Sequence, residues 1–153
     1  MKTYLFDLAR VILFPKDPNY QGELNAKYKE LKDTAGFSFY DHFMLNEELL
    51  EHISRNLKGA SVCIFTSGSI QGAPELAEKL NIFQCIFSAE ELGMSKKEAD
   101  SFKQLAKLMN KPETEIVFID DMAENVGAAT AAGMTAIQYQ NNQQLIEQLA
   151  QYA

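Results

Sequence analysis

From Ser61 onward, apolar runs of strand length alternate with segments of helical periodicity, and this alternation limits the fold more than any other feature. SVCIFT, QCIFS, EIVFI and TAIQY are short runs rich in β-branched and aromatic residues, each bounded by polar or turn residues. Between them, IQGAPELAEKL reads as a helix with Pro74 tolerated near its start. KKEADSFKQLAKLM carries Phe102, Leu105, Ala106 and Met109 at helical spacing until Pro112 ends it. AENVGAATAA is a small-residue helix closed by Gly133, and a last helix over about 143–152 presents Leu145, Ile146 and Leu149. Strands joined by such helices pair in parallel through right-handed crossovers and bury both faces. With the apolar run that opens the chain, the expectation is an α/β fold: a three-layer α/β/α Rossmann-like domain with a parallel five-stranded sheet.

Residues 15–59 interrupt that pattern. PKDPNYQG is a turn-rich connector, and ELNAKYKELKD sets Leu24, Tyr28 and Leu31 on one helical face. TAGFSFYDHF gathers Phe37, Phe39, Tyr40 and Phe43 too closely for one helical face, a cluster more often core than pocket. Asn46 can cap a helix with Glu47 and Glu48 in its first turn, an apolar stripe of Leu49, Leu50, Ile53 and Leu57, and Gly59 as its stop. The expected organisation is a core of residues 1–14 and 60–153 with a small helical cap insertion at 15–59.

Composition excludes several classes. A net charge of −7 gives no basic footprint for nucleic acid or an anionic membrane, while a small anionic substrate fits if a metal supplies positive charge. Asp7 and Arg10 interrupt the N-terminal apolar run, so it reads as a strand and not as a signal peptide, and no segment is long enough to span a bilayer. Cys63 and Cys85 lie in strand-like runs without zinc-type spacing, which points to buried reduced thiols and a cytoplasmic protein. Neither a GxGxxG dinucleotide fingerprint nor a P-loop occurs.

The chemistry gathers at strand ends. Asp7 follows an apolar run, where a carboxylate must stay wet, meet a cation or accept several hydrogen bonds. At the carboxyl edge of an open α/β sheet it is a candidate nucleophile or metal ligand, though a loop or capping role would also place an Asp there. Thr66 and Ser67 follow the second strand, Lys96 comes some way after the third, and Asp120 with Asp121 ends EIVFI. Carboxylates, a hydroxyl and an ammonium at one edge make a magnesium and phosphate site. Asp120 and Asp121 also precede a helix, where capping favours acids whatever the function, and Thr66 and Ser67 can simply close a strand.

In order and spacing these segments resemble the haloacid dehalogenase-like (HAD) hydrolase superfamily. FDLARV stands where that family has an apolar strand ending in DxDxT or DxDxV, and VCIFTSGS where it has a strand ending in Thr or Ser. GMSKKEADSF resembles its lysine motif, and IVFIDDMAENVGAATAAGM its paired-acid motif. The resemblance implies that Asp7 attacks phosphorus to form an aspartyl phosphate, which water then opens. It implies Mg2+ on the Asp7 carboxylate, the Ala9 carbonyl and Asp121, with Asp120 in support. Thr66 and Ser67 would bind the phosphoryl group, and Lys96 would neutralise Asp7 and the phosphate.

The departure from the family pattern is Ala9, where its phosphatases usually keep a second Asp that protonates the leaving group and activates water. A methyl moves no proton, and losing a positioned acid and base costs roughly 10²- to 10⁴-fold. Three readings follow. A Mg2+-dependent phosphatase of a small phosphorylated metabolite is favoured because the nucleophile and metal positions survive; a catalytically weak or inactive binding or regulatory relative is the alternative. The third is phosphonoacetaldehyde hydrolase-like chemistry, which needs a Schiff-base lysine, for which Lys27, Lys29 and Lys32 are candidates. Arg10 stands where Gly is common, so it either crowds the site or contacts substrate. His42 and His52 fit no motif and read as surface residues.

Overall fold

The computed structural model of the chain describes residues 2–152. Its central sheet is built from Thr3–Phe6 (β1), Ser61–Thr66 (β4), Cys85–Ser88 (β5), Ile116–Asp120 (β6) and Thr135–Gln138 (β7), all parallel, in the order β5-β4-β1-β6-β7. The three central strands are apolar but for their terminal residues because successive side chains enter two different cores. Tyr4, Phe6, Val62, Ile64, Val117 and Ile119 pack on one face; Leu5, Cys63, Phe65, Ile116 and Phe118 pack on the other. Helices Ala99–Met109 (α5) and Ala123–Ala131 (α6) close the second face through Phe102, Leu105, Ala106, Ala128 and Ala129. Phe102 meets the rings of Phe65 and Phe118 at 5.6 and 4.9 Å, edge to face.

The register places the chemistry. Phe6 pairs with Ile64 on one side and Ile119 on the other, so Asp7, Thr66 and Asp120 come out at the same edge of the sheet. The chain runs from β1 outward to β4 and β5, then returns to β6 and β7 on the opposite side. The crevice between β1 and β6 is therefore the topological switch point, where open α/β sheets bind ligands.

Residues 15–59 hold three helices, of which Leu24–Leu31 (α1) and Phe39–His42 (α2) come first. They also contribute to an antiparallel ribbon in which Leu13–Pro15 (β2) pairs with Phe43–Leu45 (β3). No alternating pattern announces three-residue strands. Helix Glu47–Asn56 (α3) puts Leu49, Leu50 and Ile53 into the same cluster as Tyr4, Phe6 and Val62, and that cluster also takes Leu24, Phe39 and Phe43 from the insertion. Phe39 and Phe43 are core, as the composition of that stretch suggests, whereas Tyr40 is exposed.

Four expectations need correction. IQGAPELAEKL is not one helix but three single turns of 3₁₀ type, at Ile70–Gly72, Pro74–Leu76 and Lys79–Ile82. Gly72 weakens the run, and Pro74 lacks the N–H and crowds the carbonyl four residues back, so an α-helix does not propagate. Helix α5 stops at Met109, three residues before Pro112, because Asn110 takes the left-handed conformation at φ 55°. Cys63 is buried but Cys85 is exposed, since β5 is an edge strand. His42 is half-buried, stacked parallel on Phe37 at 5.7 Å, and His52 is half-buried too.

Asn46 ties insertion to core. Its Oδ1 caps α3 by accepting from Leu49 N, and its Nδ2 donates to Val11 O at 2.9 Å and to Asn142 Oδ1 at 2.8 Å. The Asn46→Ala variant loses the cap and leaves a half-buried carbonyl without a donor. An unfolding free energy lower by about 2 kcal/mol is expected in urea titration, with an unchanged m-value.

Candidate active site

The backbone after Asp7 is wound tightly. Val11 N, Ile12 N and Leu13 N all donate to Leu8 O, at 3.3, 2.9 and 2.9 Å, and Arg10 N donates to Leu13 O at 2.6 Å. This winding holds Arg10 at φ 64°, a left-handed conformation costly for a residue with a Cβ. Its guanidinium Nη2 donates to Tyr20 O at 3.1 Å and to Gly22 O at 2.8 Å. Arg10 still lines the cavity over Asp7, which has a volume of about 400 Å³ and shares its walls among Ala9, Glu23, Asn25, Ser67, Asp121 and Asn125.

Lys96 reaches the strand ends from the loop between Ala89–Leu92 (α4) and α5. Its ammonium lies 2.8 Å from Asp7 Oδ1 and 2.8 Å from Asp120 Oδ2, and it donates to Phe65 O at 3.1 Å. An ammonium has three protons, so all three are spent on the protein. Direct donation from Lys96 to a phosphate would require one of those bonds to be exchanged.

The two buried acids differ in what they leave free. Asp120 accepts from Met122 N on Oδ1 at 2.8 Å, and from Asn125 Nδ2 at 3.1 Å as well as Lys96 on Oδ2. Neither Asp120 nor Asp121 is the N-cap residue of α6; that position is Met122. Asp7 accepts from Leu8 N and Lys96 on Oδ1 alone. Its Oδ2 is the oxygen left to face the cavity. Thr66 Oγ1 is fully buried at the same edge without a hydrogen-bond partner, a cost tolerated where a ligand supplies the partner. Ser67 lines the cavity and is exposed.

Carboxylate oxygens of Asp7, Asp120 and Asp121 lie within 4.8 Å of one another. Three carboxylates against the single Lys96 ammonium leave two negative charges at the strand ends. The imbalance shows in the acidities. Burial, with the Asp120 charge adding to it and Lys96 opposing it, pushes Asp7 up to about 7. Burial and Asp120 push Asp121 up to about 6. Burial alone would lower the Lys96 pKa, but Asp7 and Asp120 outweigh it and raise it. All-oxygen donors with two surplus negative charges fit a hard divalent cation such as Mg2+.

Lys27, Lys29 and Lys32 are not among the residues lining the cavity. Lys27 lies over the Tyr20 ring at 4.4 Å, Lys29 pairs with Glu90 at 3.2 Å, and Lys32 lies 5.9 Å from the Tyr28 ring. Several cavity residues were not singled out from the sequence, among them Asn125, Asn25 and Glu23. Only Asn125 had a local signal, since its position in the first turns of α6 faces the end of β6.

The model of the haloacid dehalogenase-like hydrolases matches residues 2–133. The chain belongs to this family. It is 37% identical over 126 residues to the enolase-phosphatase E1 of Aquifex aeolicus, covering 73% of this chain and 56% of that protein. A sesquiterpene phosphatase of Aspergillus oryzae is 30% identical over 88 residues, covering 54% of this chain and 45% of the relative. The chain thus spans about half the length of these curated relatives. Among solved structures, a HAD family enzyme from Bacteroides thetaiotaomicron in complex with magnesium and inorganic phosphate superposes with a TM-score of 0.68 at 13% identity, over 92% of this chain and 94% of that one. A 2-haloacid dehalogenase from Pseudomonas syringae pv. Tomato superposes with a TM-score of 0.67 at 15% identity, over the whole of both chains. At such identities the likeness is one of fold. No helix among the described residues is long and apolar enough to cross a membrane.

An acid raised by folding contributes stability that is present below its unfolded pKa and lost as pH rises through its folded pKa. For Asp7 that loss extends to about 7 and for Asp121 to about 6. A cation that binds the ionised pair restores it. Mg2+ should therefore raise Tm more at about pH 8 than at about pH 5.5, and Asp121→Asn should remove most of the increment. Equal increments at both pH values would show that these carboxylates do not hold the ion.

Proposed function

We propose that the chain is a Mg2+-dependent phosphatase of a small phosphorylated metabolite, acting through an aspartyl phosphate on Asp7. The observation that carries this reading is the pairing, at one sheet edge, of an open Asp7 Oδ2 with the orphaned Thr66 Oγ1. One oxygen is free to attack phosphorus, and one hydroxyl is buried with nothing to bond until a phosphoryl oxygen arrives. The phosphatase names of the two sequence relatives support the same chemistry.

In this reading Asp7 Oδ1 is held by Leu8 N and Lys96, which leaves Oδ2 oriented for in-line attack. Lys96 stabilises charge through its field on Asp7. Asp7, the Ala9 carbonyl and Asp121 would hold Mg2+, with Asp120 orienting Lys96 and Asn125 beside them. The ion would supply electrophilic stabilisation of the transferring phosphoryl group. Ser67, exposed at the cavity wall, and Arg10 on its rim are the proposed further substrate contacts. Residues 15–59 are the proposed cap, of which Gln21, Gly22, Glu23, Leu24 and Asn25 face the site. The two free thiols fit a cytoplasmic setting.

Ala9 favours a second reading, binding without turnover. The two separate in an assay of phosphate release from a panel of phosphorylated metabolites with and without Mg2+, alongside Asp7→Asn. Metal-dependent release that falls to background in Asp7→Asn, with a phosphorylated Asp7 peptide detected by mass spectrometry after acid quench, is the expected outcome. A folded, metal-stabilised protein that releases no phosphate from any substrate would leave the binding role.

A further inference from the structure

Ala9 leaves the loop after β1 without a proton carrier, yet the cavity above it holds a carboxylate from elsewhere in the chain. Glu23 lines the space over Asp7, Ala9 and Asp121, and also the adjoining space of about 330 Å³ beside Lys96 and Asn125. We propose that Glu23 is the general acid and base of the phosphoryl transfer, supplied from the inserted segment in place of a carboxylate at position 9. This rests on the phosphatase reading above.

Two independent observations carry it. The first is that the backbone on both sides of Glu23 is tied to the catalytic loops. Arg10, three residues past the nucleophile, holds Tyr20 O and Gly22 O. On the other side Asn25 Oδ1 accepts from Ser69 N at 3.0 Å and Ile70 N at 2.9 Å, in the loop that follows Thr66. That seat depends on Gly68, where a Cβ would come within 2.5 Å of Asn25 Cγ. Glu23 O itself accepts from Tyr20 Oη at 3.1 Å. A short stretch is thus anchored at residues 20, 22 and 25, and it carries Glu23 across the mouth of the site.

The second observation is that nothing else accounts for this side chain. Glu23 is the N-cap residue of α1, a position that favours Ser, Thr, Asp or Asn, and its carboxylate makes no capping hydrogen bond. Among the described residues it joins no ion pair. It is exposed. An uncommitted carboxylate on a backbone anchored at the mouth of the cavity over Asp7 is placed for proton transfer.

The chemistry balances. As the bond from Asp7 Oδ2 to phosphorus forms and the bond from phosphorus to the leaving oxygen breaks, the Glu23 carboxylic acid gives its proton to that oxygen and the alcohol departs. Glu23, now a carboxylate, takes a proton from the water whose oxygen attacks the aspartyl phosphate. Asp7 is released as carboxylate, phosphate leaves, and Glu23 is again protonated.

The test compares leaving groups in the full chain with Mg2+. In Glu23→Gln, kcat for an alkyl phosphate should fall roughly 10²- to 10⁴-fold, since an alkoxide cannot leave without a proton. For p-nitrophenyl phosphate the first step should slow by less than about tenfold, because nitrophenolate leaves unprotonated. Hydrolysis of the aspartyl phosphate still needs a base, so nitrophenolate should appear as a burst of one equivalent and phosphorylated Asp7 should accumulate. Adding Ala9→Asp to Glu23→Gln should restore alkyl phosphate turnover, a rescue that a merely structural Glu23 would not show. Equal slowing of the phosphorylation step for both substrates, or no slowing and no burst for either, in a variant of unchanged Tm would overturn the assignment while leaving the phosphatase standing. A wild-type protein that releases no nitrophenolate at all would overturn both.

Discussion

Lys96 Nζ lies where β4, β1 and β6 end side by side, and its three protons go to one acceptor on or just beyond each strand: Phe65 O, Asp7 Oδ1 and Asp120 Oδ2. A buried ammonium is tolerable only when every proton is satisfied and counter-charge is close, and both conditions hold here. In return the ammonium permits two carboxylates to be buried at adjacent strand ends, which mutual repulsion would otherwise forbid. It also fixes which oxygens are free. Asp120 is saturated, Asp7 keeps one oxygen for the cavity, and the surplus negative charge around them makes the edge receptive to a divalent cation. The reactivity of the site thus follows from how one cation is shared.

Much of this was legible because parallel sheets align their carboxyl ends. Once EIVFI and the opening apolar run are read as buried strands of one parallel sheet, Asp7 and Asp120 have to emerge at the same edge, and Thr66 follows from the same rule. The fold class was legible for the same reason, since fully buried strands have few ways to be written. What escaped was whatever depended on a few hydrogen bonds. Lys96 could be placed near the site but not in its threefold bridging role, because the loop of Gly93 to Glu98 has no periodic pattern. The β2–β3 ribbon is too short to leave an alternation, and the crossover from β4 to β5 has helical periodicity in its apolar residues but not the backbone to use it. Pro74 and Gly72 decide there, and the periodicity still buries Ile70, Leu76 and Leu80.

Arg10 shows why a local reading falls short. In sequence it is a bulky residue where a small one is common, which suggests obstruction or substrate contact. In the structure it stays at the cavity wall while its guanidinium grips two carbonyls of the connector before α1. The strain in its left-handed backbone, on the order of 1–2 kcal/mol, is offset by two charge-assisted hydrogen bonds. The loop after Asp7 and the inserted segment are thereby made one unit, and Asn25 joins the Thr66 loop to it from the other side.

That arrangement changes how the loss at position 9 should be understood. A carboxylate on the β1 loop would be positioned by the winding around Leu8 O whatever the insertion does. A carboxylate on the connector is positioned only when residues 20, 22 and 25 are seated. Proton transfer then depends on docking of the insertion, so a chain with Glu23 in place of an acid at position 9 couples closure to chemistry. The clamping arginine, the seated Asn25 and the missing acid at position 9 are in this view parts of one solution, in which a short insertion supplies the proton carrier.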